Sequence, residues 1–229
     1  MLVSGALNFF RLSGDLFHLA SFLLLFQKLY YSKSVEGLSR KSQELYLTVF
    51  CCRYLDLFDT RRHGWTLLTT YNTLMKIFFI GSSALIVHRF TKAPWKATYQ
   101  DREDSFRHWL FLALPCFILA LLINLWAWEG VVEVLYSFSI LLESVAILPQ
   151  LVMLQRHKNI ENLTANFVFA LGLYRGFYIV NWIDRYLVDN HKTDTIVWMS
   201  GVLQTILYAD FFYYYFKAKR SGKRMELPT

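Results

Sequence analysis

Charge is scarce in this chain. Only 18% of its 229 residues are Asp, Glu, Lys or Arg, against 55% hydrophobic and 18% aromatic. That ratio, with a positive mean hydropathy, excludes an ordinary soluble domain and fits a polytopic membrane protein. Cysteine is scarce too. Cys51, Cys52 and Cys116 all lie in apolar runs and none has a partner at metal-site spacing, which excludes a disulfide framework and a zinc site. A glycine-rich phosphate loop, a nucleophile elbow and a His/Cys/Asp metal spacing are missing as well, so no enzyme constellation is present and no cofactor is expected. The first apolar run, 16–26, is followed by Gln27-Lys28-Leu29-Tyr30-Tyr31 and not by a small-residue cleavage site. A retained first span is expected in place of a signal peptide.

The few charges are concentrated where a bilayer penalises them. Arg11, Asp15, His18, Arg53, Asp56, Glu143, Arg175, Asp184, Arg185 and Asp210 stand within or at the ends of long apolar stretches. Each lone ionised group in a membrane core costs at least ~2.5–3.5 kcal/mol. Such groups must face inward, toward one another or toward a polar ligand. The apolar stretches predict an all-α integral membrane protein with seven transmembrane helices, at about 7–29, 44–58, 67–88, 109–126, 131–154, 167–187 and 195–216.

The net charge of +7 is spread over inter-span loops and the tail, which excludes a nucleic-acid partner and points to membrane lipid as the surroundings. Lys33, Arg40 and Lys41, then Arg89, Lys92, Lys96, Arg102 and Arg107, then Arg156 and Lys158 load the odd-numbered loops. The positive-inside rule therefore expects those loops and the C-terminus in the cytosol and the N-terminus in the lumen. Asn162-Leu163-Thr164 is a glycosylation sequon that this orientation leaves unmodified.

Val35-Glu36-Gly37-Leu38-Ser39 matches Ile160-Glu161-Asn162-Leu163-Thr164 at an offset of 125. Spans one to three then correspond to spans five to seven. The expectation is one membrane domain over 1–229: a first three-helix repeat at about 7–88, a linker helix at about 109–126, a second, parallel repeat at about 131–216, and a short basic tail at 217–229.

Helical spacing gathers the charges into stripes. Arg11, Asp15 and His18 are spaced i, i+4, i+7. Arg53, Tyr54 and Asp56 close span two. Glu133, Tyr136 and Glu143 share a stripe of span five, and Tyr174, Tyr178, Asn181, Trp182 and Arg185 share one of span six, with Arg175 beside it. Internal pairing of Arg11 with Asp15, Arg53 with Asp56 and Arg175 with Glu143 is one reading. The other is a cavity whose three luminal arginines capture carboxylates of a peptide-like ligand while the aromatic side chains pack on its apolar parts.

The runs NFFRLSGDLFHL (8–19), RYLDLF (53–58), LESVAILPQL (142–151), LGLYR (171–175) and QTILYADFFY (204–213), with GLS (37–39), KSQ (41–43) and KATY (96–99), resemble the KDEL receptors, the ER lumen protein-retaining receptors. The resemblance runs nearly end to end. It implies a SWEET/PQ-loop-like fold. It implies a receptor that binds the C-terminal Lys/His-Asp-Glu-Leu tetrapeptide of escaped ER luminal proteins in the acidic Golgi and returns them to the ER with the COPI coat. By that resemblance Arg53 and Tyr54 hold the terminal carboxylate, and Arg11 and Arg185 take the acidic side chains. Asp56 and Glu133 face the fourth residue from the end, and Asn181 and Trp182 line the cavity. His18 senses protons as the effector, and Glu143, Arg175 and Tyr178 lock the closed state. Lys217, Lys219, Arg220, Lys223 and Arg224 match the region shown to the coat. Tyr136 and Asp184 depart from the family pattern, which has tryptophan at both. A small-solute transporter on the same scaffold is the alternative. Its discriminator is the arginine number, since a neutral solute has little need of three costly guanidinium groups. An intramembrane enzyme ranks far lower.

Overall fold

The structure, a computed structural model, describes residues 8–58, 66–126, 130–156, 160–189 and 194–222, together with Met225 and Leu227. Asn8 starts the first helix: its side-chain oxygen accepts from the Arg11 N–H at 2.8 Å. α1 (Phe9–Gln27) continues into one π-type turn over Lys28–Ser32. Ser39 caps α2 (Arg40–Arg53), and a Thr66/Thr69 capping box opens α3 (Leu67–Arg89). α4 (Trp95–Thr98) is a single turn. A π-type turn, Trp109–Ala113, leads into α5 (Leu114–Trp126). α6 (Val131–Val145) and α7 (Leu148–Arg156) follow, broken at Ala146 and Ile147 ahead of Pro149, which has no N–H to continue the ladder. α8 (Asn162–Asp189) and α9 (Thr195–Ser221) are the longest helices, and Gly222, with φ 65, closes α9. Strand structure among the described residues is limited to one isolated bridge between Ile160 and Met225.

These helices form two compact units, Met1–Gly37 with Leu154–Thr229, and Leu38–Met153. In the first, α1 packs along α8 and α8 along α9. Gly14 marks the α1–α8 contact, where an added Cβ would fall 2.7 Å from the Tyr178 ring. In the second, α2 packs on α3 and α6, and α6 on α5, around Leu45, Val49, Phe50 and Leu142.

A buried polar knot holds the start of α2. The Gln150 side-chain oxygen accepts from the Ser39 N–H at 2.8 Å, and the Gln150 N–H donates to Ser42 Oγ at 2.9 Å. Asp104 accepts from Ser39 Oγ (2.8 Å), the Tyr99 hydroxyl (2.7 Å) and the Lys41 N–H (3.3 Å). With its N-terminus fixed in this way, α2 delivers Arg53 at its other end.

The all-α class stands, but the seven-span, two-repeat expectation does not. Five stretches among the described residues are long and apolar enough to cross a bilayer: Phe9–Ser32, Leu67–Arg89, Val131–Arg156, Asn162–Val188 and Thr195–Ser221. α2 has 14 residues, roughly 21 Å at 1.5 Å per residue against a hydrocarbon core of about 30 Å. It buries Ser42 and Gln43 along with its apolar side chains, so its sequence answers to protein packing. Trp109–Leu125 is apolar but also short. The repeat fails on the same ground: segments matched at the 125-residue offset are unequal, 14 residues for α2 and 28 for α8. A SWEET/PQ-loop-like arrangement needs matched full spans, and these are not matched.

Candidate functional site

In the second unit, a cavity of about 440 Å³ opens beside the end of α2. Arg53, Tyr54, Asp56, Lys76, Glu133 and Tyr136 line it, with Cys52, Leu55 and Val132. The chain leaves α2 at Arg53, passes Tyr54 and turns through a short 3-10 segment, Leu55–Phe58. This turn puts consecutive residues on one wall, which a continuing helix would have splayed around its axis.

Arg53 is held from α6. Its Nε donates to Ser139 Oγ at 3.1 Å, and its Nη1 forms an ion pair with the buried Glu143. Ser139 in turn donates to the Tyr136 carbonyl at 2.6 Å. Tyr54 stacks on Phe50, ring centroids 5.7 Å apart. Asp56 pairs with Lys76 from α3, whose Nζ lies 5.7 Å from the Tyr54 ring centroid. Glu133 stands in the first turn of α6, and Tyr136 is exposed one turn on. The arrangement gives a guanidinium anchored from behind at one place and two carboxylates, Asp56 and Glu133, at another. It suits a ligand carrying a negative end and a positive group.

In the first unit, the α1 stripe meets the α8 stripe. The Tyr178 hydroxyl donates to Asp15 at 2.5 Å. His18, buried, stacks on Tyr174 with centroids 4.3 Å apart and planes 8° from parallel. Arg175 Nη2 donates to the Tyr174 hydroxyl at 2.8 Å. Trp182 packs edge-on against Trp198, centroids 5.7 Å apart. Asn181 and Arg185, one turn apart, each keep a buried polar atom, Oδ1 and one Nη, without a hydrogen-bond partner among the described residues. A buried amide oxygen and guanidinium nitrogen left so are open to a ligand's polar groups.

For Arg53 and Asp56 the partners differ from the sequence-local pair expected of them. Arg53 takes Glu143, not Asp56, and Asp56 takes Lys76. Ser139 and Lys76 stand outside the set that the sequence points to, although Ser139 lies on the Glu133–Tyr136–Glu143 stripe, four residues before Glu143, where the spacing signals it. Asp184 has a structural use: it accepts from the Asn8 side chain at 3.1 Å and ties the start of α1 to α8. In the tail, Lys217 and Lys219 lie over the Tyr214 and Tyr215 rings at 5.8 Å each, and Arg220 is exposed. Lys223 and Arg224 lie outside the described residues.

Comparison with known proteins gives one answer along the chain. Residues 34–185 match the family described as ER lumen protein retaining receptor. The chain is 51% identical over 225 residues to ER lumen protein-retaining receptor B of Arabidopsis thaliana, covering 97% of this chain and 100% of that one. It is 49% identical over 230 residues to the ER lumen protein-retaining receptor of Petunia hybrida, covering 97% and 100%. It is 44% identical over 223 residues to that of Drosophila melanogaster, again covering 97% and 100%.

Proposed function

Because the chain belongs to the ER lumen protein-retaining receptor family, we propose that its cavity residues capture the C-terminal tetrapeptide of escaped luminal proteins in a pH-dependent way. The family is one of receptors and not of enzymes, and its members bind retrieval signals and return their cargo to the ER. The observation that carries the site reading is the Arg53 guanidinium, fixed by Ser139 and Glu143 on the wall of a 440 Å³ cavity beside Tyr54. A planar fork held this way suits a peptide's terminal carboxylate, with the Tyr54 hydroxyl as a second donor. Asp56 and Glu133 take the cationic residue four from the end, against Tyr136. By the family resemblance, Arg11 and Arg185 are assigned the acidic side chains, and Asn181 and Trp182 a lining role.

Protons enter through His18 and Glu143. A ligand carboxylate and the Glu143 carboxylate compete for one guanidinium, so protonating Glu143 favours the ligand. His18, on α1 and stacked on Tyr174 of α8, is the sensor in this reading, and Arg175, bonded to the Tyr174 hydroxyl, and Tyr178 complete the network that locks the closed state. Affinity therefore falls as pH rises, by at most about tenfold per pH unit for each coupled proton. The receptor works in ER and cis-Golgi membranes with its N-terminus luminal and its C-terminus cytosolic. There Lys217, Lys219, Arg220, Lys223 and Arg224 meet the COPI coat.

Binding of peptides varied in their last four residues, measured at about pH 6 and about pH 7.4, tests this reading. Amidating the peptide C-terminus abolishes binding if Arg53 captures the carboxylate; equal binding after amidation refutes the capture. His18→Ala flattens the pH dependence while the protein stays folded, and an unaltered acid dependence would take His18 out of the sensor role.

A further inference from the structure

Among the described residues, Lys76 is the one cation at the acidic end of the cavity. Four charged side chains among the described residues line that cavity: Arg53 from the end of α2, Asp56 from the 3-10 turn, Lys76 from α3 and Glu133 from α6. Arg53 is compensated by Glu143. The remaining three sum to one net negative charge, and Lys76 places its ammonium on Asp56. The Lys76 side chain is 24% exposed and that of Asp56 is 46% exposed, so both can be reached from the cavity.

We propose that Lys76 is a specificity-determining residue: an internal counterion that occupies the carboxylate meant for the ligand's own cation and sets how strongly that cation is preferred. This rests on the reading of the cavity as a peptide site. A peptide with a lysine or protonated histidine upstream of its C-terminal carboxylate displaces the Lys76 ammonium from Asp56. A peptide with a neutral residue there leaves the Lys76–Asp56 pair in place. The resident cation thus lowers the field that an incoming cation gains and hardly affects a neutral group. It narrows the gap between cationic and neutral signals, and removing it widens that gap. Exchanging one cation for another also lets the ligand leave without stranding a bare carboxylate on the wall.

Two peptides that differ only at the fourth residue from the C-terminus, lysine against its neutral isostere norleucine, separate this role from simple ion-pair glue. Affinities are measured on the full-length chain in detergent or nanodiscs. In Lys76→Met the ratio of affinities, lysine over norleucine, rises about tenfold, through tighter binding of the lysine peptide. Lys76→Arg keeps the original ratio, and in an Asp56→Asn background Lys76→Met adds nothing. Should Lys76→Met fail to fold, Lys76→Gln retains a polar head for Asp56 and gives the same readout. A ratio unchanged within about twofold, with both peptides still binding, overturns the role of Lys76 alone. Binding to the wild type that survives C-terminal amidation overturns the peptide-site reading, and this inference with it.

Discussion

Tyr178 shows how one atom couples two helices. Its hydroxyl donates to Asp15 at 2.5 Å, and its ring fills the space that Gly14 leaves open. Removing the hydroxyl in Tyr178→Phe leaves a carboxylate short of a donor, a loss of about 1.5–3 kcal/mol for a bond to a charged group. Gly14→Ala reaches the same bond from the other side, because its Cβ would stand 2.7 Å from the Tyr178 ring and push the hydroxyl off Asp15. Both variants are expected to lower the thermal midpoint in detergent and weaken peptide binding. The double variant should lose less than the sum, since each removes one contact; strict additivity would show that the two act apart. The i, i+4, i+7 spacing of Arg11, Asp15 and His18 made their shared face legible from sequence. The partner did not follow from it. Helical periodicity fixes the side of a helix a residue occupies, whereas Asp15 meets Tyr178 across 163 positions of chain. Pairing by nearness in sequence failed for Arg53 and Asp56.

α2 depends on its N-terminal knot more than on its own propensity. It is short, and its start is held by Ser39, Gln150 and Asp104. Asp104 is buried with three donors, so Asp104→Ala strands the Ser39 and Tyr99 hydroxyls and the Lys41 N–H, at about 1–3 kcal/mol for each group left unsatisfied. Frayed α2 would misplace Arg53 at its far end. The variant is therefore expected to lose peptide affinity as well as stability, measurable by calorimetry and by binding on the same sample. Burial, then the hydrogen bond to Asp104, raises the Tyr99 hydroxyl above its ordinary value of 10.0. The folded protein thus keeps its proton at a pH where the unfolded chain loses it. Stability from this group is complete below 10.0 and declines as pH climbs past it. Tyr99→Phe should flatten that alkaline decline in a denaturant titration; an equal decline in both proteins would place its origin elsewhere. Sequence patterning did not expose the knot. Asp104 lies in a charged loop and Gln150 follows Pro149, and neither position predicts that both are buried.

For the molecule as a whole, membrane class and family were legible because both depend on content spread along the entire chain. Span number was not, because it turns on what covers each apolar face. α2 and the Trp109–Leu125 helix carry apolar residues but lack the length to cross a bilayer alone. Orientation is a property at this same scale, and the sequon at Asn162 makes it testable. Asn162 opens α8. Thr164, the third sequon residue, is buried and its Oγ1 accepts from the buried Lys28 Nζ at 2.9 Å. A luminal position would expose this sequon to the glycosylating enzyme while the chain is still unfolded, and a cytosolic one would never do so. With the basic C-terminal tail cytosolic and the N-terminus luminal, Asn162 stays bare in cells while a sequon appended ahead of residue 1 is modified and one appended after residue 229 is not. Mobility shifts on endoglycosidase treatment read all three sites in one gel. A shift traced to Asn162 by Asn162→Gln would invert the orientation and put the Arg185 end of α8 on the cytosolic side, where no luminal peptide could reach it.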